Sequence, residues 1–136
     1  MATKIDSVSI LHIDPNQLFR EGLRRIFGDS SFIVEAEAST FEDGLGQLSD
    51  LKPGLVIFDP DGYSDDALTE LMVSTLTTSP KSRVVVLTDK VAISRLANAL
   101  HAGIGGYLLK DMSTDALKQS LKLVLMGETV FPTDLA

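Results

Sequence analysis

Four side chains with complementary chemistry follow four short apolar runs of this sequence. Asp59 comes directly after the run Leu55–Phe58, and an acid, a hydroxyl and an amine lie at the ends of three other runs: Asp14, Thr88 and Lys110. A carboxylate can act as a nucleophile, and an ammonium is a compact positive charge that can pair with acids. The four residues suggest one site assembled from the whole chain, provided that the fold brings the ends of the runs together.

An alternation of strand-like and helix-like patterns predicts how those ends meet. Strand-like runs lie at 8–13, 31–38, 55–58, 84–87 and 106–109, and each is followed by a helical spacing of apolar residues. Such strict alternation indicates a (βα)5 fold, in which a doubly wound five-stranded parallel sheet has helices on both faces. In sheets of this kind, sites form beyond the carboxyl ends of the strands.

Local signals place the ends of several helices. Asp14 and Pro15 have the types expected of an N-cap and a first helical residue, and Thr40 with an acid three residues later resembles a capping box. In the last predicted helix the spacing of apolar residues points four of them inward: Leu117, Leu121, Val124 and Leu125.

Composition narrows the classes of function. The 136 residues suffice for one domain with a core, and a net charge of −7 argues against direct binding to nucleic-acid backbone. The absence of cysteine excludes disulfides and cysteine metal sites, and it suits a cytoplasmic location. The longest apolar runs are too short to span a bilayer, so no membrane partner is expected.

Over roughly residues 7–127, the chain resembles a response-regulator receiver domain of two-component signalling. It is most similar to the LuxR-type (NarL/FixJ-like) subfamily, which implies the flavodoxin-like strand order 2-1-3-4-5. Four stretches in the right order carry the resemblance: Ile-Leu-His-Ile-Asp (10–14), Leu-Val-Ile-Phe-Asp (55–59), Arg-Val-Val-Val-Leu-Thr (83–88) and Gly-Tyr-Leu-Leu-Lys-Asp (106–111).

The resemblance assigns a role to each matching residue. It implies that Asp59 is the phosphoacceptor, that Lys110 pairs with it and with the phosphoryl group, and that Thr88 is the switch hydroxyl. Tyr107 matches the switch aromatic, and Asp14 matches the first member of an acid pair that supports Mg²⁺. The implied phosphodonor is a histidine kinase or another donor.

Each of these residues also has a structural interpretation. Asp59 begins the turn sequence Asp-Pro-Asp-Gly, and Asp14 could cap a helix. Thr88 could end a strand or cap the next helix, Lys110 could be a solvated lysine, and Tyr107 could be a core aromatic.

Three departures from the family pattern affect the expected metal site. Pro15 stands where the second acid of the pair would be a direct Mg²⁺ ligand, and a proline has no side-chain ligand. Asp61 falls where the family uses a backbone carbonyl on the metal, so its carboxylate could replace the lost ligand. Asp89 occupies a normally small position after Thr88, where it adds negative charge or caps the next helix. Magnesium is therefore expected to bind weakly or not at all.

Two interpretations of the whole chain remain from the sequence. In the first, it is a phosphorylated receiver, not an enzyme, that forms the N-terminal part of a LuxR-type transcriptional regulator. Alternatively, it is a pseudo-receiver that serves as a phosphorylation-independent dimerisation or protein-interaction module. A homodimer is expected in either case. The predicted division is a receiver domain at 1–127 and, at 128–136, the start of a linker to a helix-turn-helix domain through which alone DNA would be bound.

Overall fold

A computed structural model describes residues 7–132, in which five strands alternate with five helices. The elements are β1 (Val8–Ile13), α1 (Gln17–Phe27), β2 (Phe32–Ala38), α2 (Phe41–Leu51), β3 (Leu55–Phe58), α3 (Asp65–Thr78), β4 (Arg83–Thr88), α4 (Ile93–His101), β5 (Gly106–Leu109) and α5 (Thr114–Leu125). Within the described range, none of these helices has the length and apolar character needed to cross a bilayer.

The five strands form one parallel sheet in the order β2-β1-β3-β4-β5. The predicted (βα)5 architecture and strand order are confirmed. The register pairs Ile13 with Phe58 and Thr88 with Leu109, so the carboxyl ends of the strands are nearly level. Residues that follow these strands therefore lie at the same edge of the sheet.

The core lies on both faces of the sheet, which explains the unbroken apolar runs. In β3, Val56 and Phe58 belong to one buried cluster, whereas Leu55 and Ile57 belong to the cluster on the opposite face. All four residues of this strand are completely buried. A strand covered on both sides has no solvent face, so the alternation of polar and apolar residues disappears.

The start of α1 corrects one sequence prediction. Asp14 and Pro15 are not the N-cap and first helical residue, because the N-cap is Asn16, whose side chain accepts a hydrogen bond from the Phe19 amide at 3.0 Å. The carboxylate of Asp14 points into the protein instead, where its charge is compensated. The predicted cap at Thr40 is confirmed, since its hydroxyl accepts a hydrogen bond from the Asp43 amide at 3.2 Å.

The end of α5 corrects another prediction. Leu125 was expected to point inward, but its exposed fraction is 38%. The helix ends at this residue, and Gly127, with a φ of 95°, turns the chain away from the helix axis. The other three predicted inward residues of α5 are buried.

Residues 128–132 return to the domain and lie along the free edge of β5. Val130 forms a parallel bridge with Gly106, in which the Tyr107 amide donates to the Val130 carbonyl at 2.8 Å and the Val130 amide donates to the Gly105 carbonyl at 3.0 Å. These bonds satisfy backbone groups that an open edge strand would expose. The division of the chain at residue 127 stays a prediction, and the last part of the predicted linker, 133–136, lies outside the described residues.

We predict opposite effects for two glycine substitutions within α2. A Cβ on Gly44 would stand 2.3 Å from the Cδ1 atom of buried Ile13, whereas a Cβ on Gly46 would meet nothing within 4 Å. Gly44→Ala should lower the free energy of unfolding by about 1–3 kcal/mol through overpacking, and Gly46→Ala should raise it by up to about 1 kcal/mol through helix propensity. Urea unfolding measures both, and equal effects of the two substitutions would contradict the described packing.

Candidate functional site

Three buried charges meet at the carboxyl edge of the sheet. Lys110, which follows β5, places its Nζ atom 2.9 Å from Oδ2 of Asp14 and 2.7 Å from Oδ2 of Asp59. Asp14 is completely buried, Asp59 is 4% exposed, and the lysine side chain is 8% exposed. One ammonium therefore bridges two carboxylates that come from the ends of β1 and β3.

The two carboxylates are held by the same kind of turn. Oδ1 of Asp14 accepts a hydrogen bond from the Asn16 amide at 2.8 Å, and Oδ1 of Asp59 accepts one from the Asp61 amide at 2.9 Å. Each turn spans a proline, whose ring fixes φ and limits the backbone to a few conformations. In both acids Oδ1 is thus bound to the backbone, and Oδ2 faces the ammonium.

The ammonium offsets the cost of burying these charges. Burial by itself would raise the pKa of Asp14, but hydrogen bonds and charge from His12, the Asn16 amide and Lys110 lower that pKa below its ordinary value. Burial by itself would likewise lower the pKa of Lys110, but the two carboxylates raise it above its ordinary value. Both groups are therefore ionised at neutral pH, and the cluster is held together by charge.

A histidine and a phenylalanine complete the surroundings of the ammonium. The Nε2 atom of His12, which is 1% exposed, lies 3.6 Å from Oδ2 of Asp14. Burial is the main reason that the pKa of His12 is below its ordinary value. The ring of Phe19 has its centroid 4.4 Å from Nζ of Lys110 and meets the His12 ring at an interplanar angle of 66°.

Thr88 and Tyr107 lie beside this cluster. The Lys110 amide donates to the Thr88 carbonyl at 2.9 Å, which fixes the start of the loop that carries the ammonium. Thr88 and Tyr107 are 6% and 1% exposed, and both line a cleft of about 570 Å³ between the loops after β3 and β4. Burial raises the pKa of Tyr107 above its ordinary value of 10.0.

The remaining predicted site residues stand at the mouth of this cleft. Asp61 and Asp89 both line it and are exposed to solvent. Asp89 does not cap the next helix, because the N-cap of α4 is Ala92. The exposed positions of these acids allow water to screen their charges, so they repel the cluster less than a buried acid would.

The oxygen donors at this edge fit Mg²⁺ only in part. Asp14 and Asp59 each supply a carboxylate, Pro15 supplies no side-chain oxygen, and Asp61 is exposed at the cleft rather than buried with the other two acids. Between residues 7 and 132, no set of three or more His, Cys, Asp or Glu side chains is grouped as a metal site would require. A hard cation that needs several oxygen ligands would find two carboxylates here.

An arginine of α4 fixes the loop that follows Asp59. Arg95 donates to the carbonyl of Pro60 at 3.1 Å and also to the carbonyl of Tyr63. The hydroxyl of Tyr63 in turn accepts a hydrogen bond from the Phe41 amide at 2.9 Å. The loop is therefore anchored to α4 on one side and to the start of α2 on the other.

Sequence patterns assigned Asp14, Asp59 and Lys110 to one site, but they did not identify His12, Phe19 or Arg95. His12 had a signal, because it is the only ionisable residue in the β1 run, whose other polar residue is Ser9. The repeated Asp-Pro pairs at 14–15 and 59–60 were also a signal, since a repeat at the ends of two strands predicts two similar turns. Phe19 gave none, because its spacing is that of an ordinary core residue of a helix.

We predict that removal of the ammonium destabilises the fold. Lys110→Met would leave Asp14 and Asp59 buried without a counterion, which should lower the free energy of unfolding by about 3–5 kcal/mol. Asp14→Asn in the same background should recover part of this loss, since it removes one of the two buried charges. Urea unfolding is the measurement, and Lys122→Met, which removes an exposed ammonium, is the control. A loss no greater than that of the control would contradict the bridging role.

We also predict that one of the two tyrosines ionises only above pH 10. A group with a raised pKa contributes stability that is present below its unfolded value and is lost as pH rises through its folded value. Absorbance at alkaline pH should show a late phase that disappears in Tyr107→Phe and remains in Tyr63→Phe. Loss of the late phase in the Tyr63 variant would show that the assignment is wrong.

Comparison with known proteins agrees with this arrangement. A family model described as the response regulator receiver domain matches residues 10–122. The chain is 31% identical over 126 residues to the transcriptional regulatory protein DegU of Brevibacillus brevis, covering 90% of this chain and 52% of DegU. It is 30% identical over 129 residues to a nitrate/nitrite response regulator protein homolog of Haemophilus influenzae, covering 92% of this chain and 60% of that protein.

Solved structures share the fold. A LuxR-family two-component response regulator from Aurantimonas sp. SI85-9A1 superposes with a TM-score of 0.81 at 22% identity, covering 96% of this chain and 93% of that one. The signal receiver domain of a NarL response regulator from Mycobacterium tuberculosis has a TM-score of 0.77 at 22% identity, covering 91% of this chain and all of that one. With the family match over most of its length, the chain belongs to the response regulator receiver domain family.

Proposed function

We propose that this receiver domain accepts a phosphoryl group on Asp59 and that the bridged cluster of Asp14, Asp59 and Lys110 is its reaction site. Receiver domains are signalling modules that interact with histidine kinases or other phosphodonors. The observation that carries the proposal is the 2.7 Å ion pair between Lys110 and Asp59. The matches give no support to a phosphorylation-independent module.

The proposed step conserves atoms and charge. An oxygen of the Asp59 carboxylate attacks the phosphorus of an acyl phosphate or a phosphohistidine, and a mixed anhydride forms on Asp59. The bond from phosphorus to the donor breaks, and its electron pair leaves with the donor group. In this proposal Lys110, which already pairs with Asp59, binds an oxygen of the transferred group, and Thr88 ends the neighbouring strand β4.

Two features of the site support slow transfer. Asp59 is 4% exposed, and its carboxylate already holds one backbone amide and one ammonium. A donor must therefore compete with contacts that stabilise the resting carboxylate.

Receiver domains bind Mg²⁺ at the acidic phosphorylation site. We propose that this chain binds the ion weakly, through Asp14 and Asp59, because Pro15 supplies no ligand. When bound, the ion would neutralise phosphoryl oxygens. The positive charge that the chain itself brings to this site is the ammonium of Lys110.

The parent protein is proposed to be a LuxR-type transcriptional regulator. The chain spans 52–60% of the length of the two relatives compared above, and one of them is a transcriptional regulatory protein by name. DNA would then be bound through a domain outside this chain, which itself has a net charge of −7. We also propose a homodimer, since the exposed apolar residues Ile93 and Leu123 offer surface on α4 and α5. A cytoplasmic location fits the absence of cysteine.

Intact mass after incubation with acetyl phosphate tests the phosphoacceptor. We predict a single addition of one phosphoryl group, slow and only weakly dependent on Mg²⁺, that is lost in Asp59→Asn. Pro15→Asp places an acid at an exposed loop position and should increase both the rate and the apparent affinity for Mg²⁺.

The outcomes separate the two parts of this proposal. Rapid, complete labelling of the wild type at low Mg²⁺, with no gain from Pro15→Asp, would contradict the weak metal site. Absence of labelling in both the wild type and the Pro15 variant, or labelling that survives Asp59→Asn, would overturn the assignment of Asp59. Asp66→Asn, at an exposed acid of α3, is the matched control and should behave as the wild type.

A further inference from the structure

The ammonium of Lys110 has a third neighbour besides its two carboxylates. The face of the Phe19 ring lies 4.4 Å from Nζ, and the lysine side chain is 8% exposed. A cation over an aromatic face is attracted by the ring, and the attraction is stronger where water is excluded. Phe19 therefore adds an attraction for the ammonium to those of the two carboxylates.

This third contact matters because a lysine side chain is long and flexible. Two carboxylates restrain the ammonium, but they also allow it to shift toward either acid. A ring on a neighbouring helix restricts this movement. The backbone of Phe19 is held by the hydrogen bond from its amide to Asn16, the N-cap of α1, and its side chain packs against an apolar core cluster.

His12 contacts both Phe19 and Asp14. Its ring meets Phe19 with centroids 5.9 Å apart, and its Nε2 lies 3.6 Å from Oδ2 of Asp14. Its Nδ1 is buried without a hydrogen-bond partner in the described part of the protein. An unpaired buried nitrogen costs stability that an apolar residue at this strand position would not cost. The histidine is therefore explained better by its contacts with Asp14 and Phe19 than by packing.

We propose that Phe19 and His12 are positioning residues for phosphoryl transfer. Phe19 acts through Lys110, and His12 acts through Asp14 and Phe19. The proposal rests on the proposed function of Asp59, because it names residues that hold Lys110 and Asp14 of the same site in position. Neither residue touches the reacting atoms, so each acts through the group that it holds.

The test compares three phenylalanine variants of this 136-residue chain. Phe19→Leu keeps an apolar side chain but removes the ring, and Phe19→Tyr keeps the ring. Phe27→Leu, at the buried end of the same helix, removes a core ring that packs on Phe32 rather than on Lys110. It therefore controls for a general loss of packing in α1.

Two measurements are made on each variant. In the unphosphorylated protein, NMR measures the ring-current shift and the order of the Lys110 side chain. Intact mass measures the rate of labelling by acetyl phosphate. Phe19→Leu should abolish the ring-current shift, increase the mobility of the lysine and slow labelling about 3- to 30-fold, which corresponds to the usual strength of such a contact. Phe19→Tyr should restore both readouts, and Phe27→Leu should change neither.

A second pair of variants tests His12. His12→Leu should slow labelling, although it replaces a buried polar ring by an apolar side chain that suits the core. His12→Gln, whose amide nitrogen can reach toward Asp14, should recover part of the rate. If His12→Leu labels as fast as the wild type, the positioning role of the histidine is overturned.

The two readouts separate failure of this inference from failure of the proposed function. If the wild type takes no phosphoryl group, the function of Asp59 fails and the transfer role of both residues fails with it, while the NMR readout still decides whether Phe19 holds the ammonium. If Phe19→Leu leaves the lysine signals and the rate unchanged, or if Phe27→Leu reproduces its effects, the positioning role of Phe19 is overturned.

Discussion

The bridging of two buried carboxylates by one ammonium is the constraint on which the rest of this structure depends. Asp14 and Asp59 lie at the ends of adjacent strands, where two negative charges repel strongly out of water. Lys110 comes from β5, which is separated from β3 by β4, so only a long side chain can span the distance. The backbone bond from the Lys110 amide to Thr88 fixes where that side chain begins. The order of the sheet and the length of lysine are thus both needed for the cluster to form.

The fold was predictable from the sequence because its determinants are local and repeated. Apolar runs such as Leu55–Phe58 can be continuous only where both faces are covered, and their alternation with helical spacings leaves one common architecture. The convergence of Asp14, Asp59 and Lys110 followed from that architecture alone, since it required only that strand ends share an edge. Their roles did not follow from it and came from the resemblance to a family.

The errors arose where one residue type suits two environments. Asp14 has the composition of an N-cap, and a cap and a buried site acid look the same in a sequence; the structure gives the cap to Asn16. Leu125 fits the helical period of α5, but the period cannot show that the helix ends there. Phe19 is equally ambiguous, because a helical position facing the sheet can contact a core side chain or an ammonium. Such distinctions depend on distances across the fold, which no local pattern encodes.

Pro15 has a physical effect beyond the loss of a metal ligand. It lies inside the turn that binds Oδ1 of Asp14 to the Asn16 amide, just as Pro60 lies inside the matching turn of Asp59. A proline at that position restricts the backbone before the turn forms, so less entropy is lost when the carboxylate is oriented. The chain therefore has fewer oxygen ligands at this edge than an acid pair would give, but its two acids are more rigidly aimed at Lys110. Under the proposed function, such a site relies on the position of its lysine for positive charge, so the side chains around Nζ contribute to the site together with the acids.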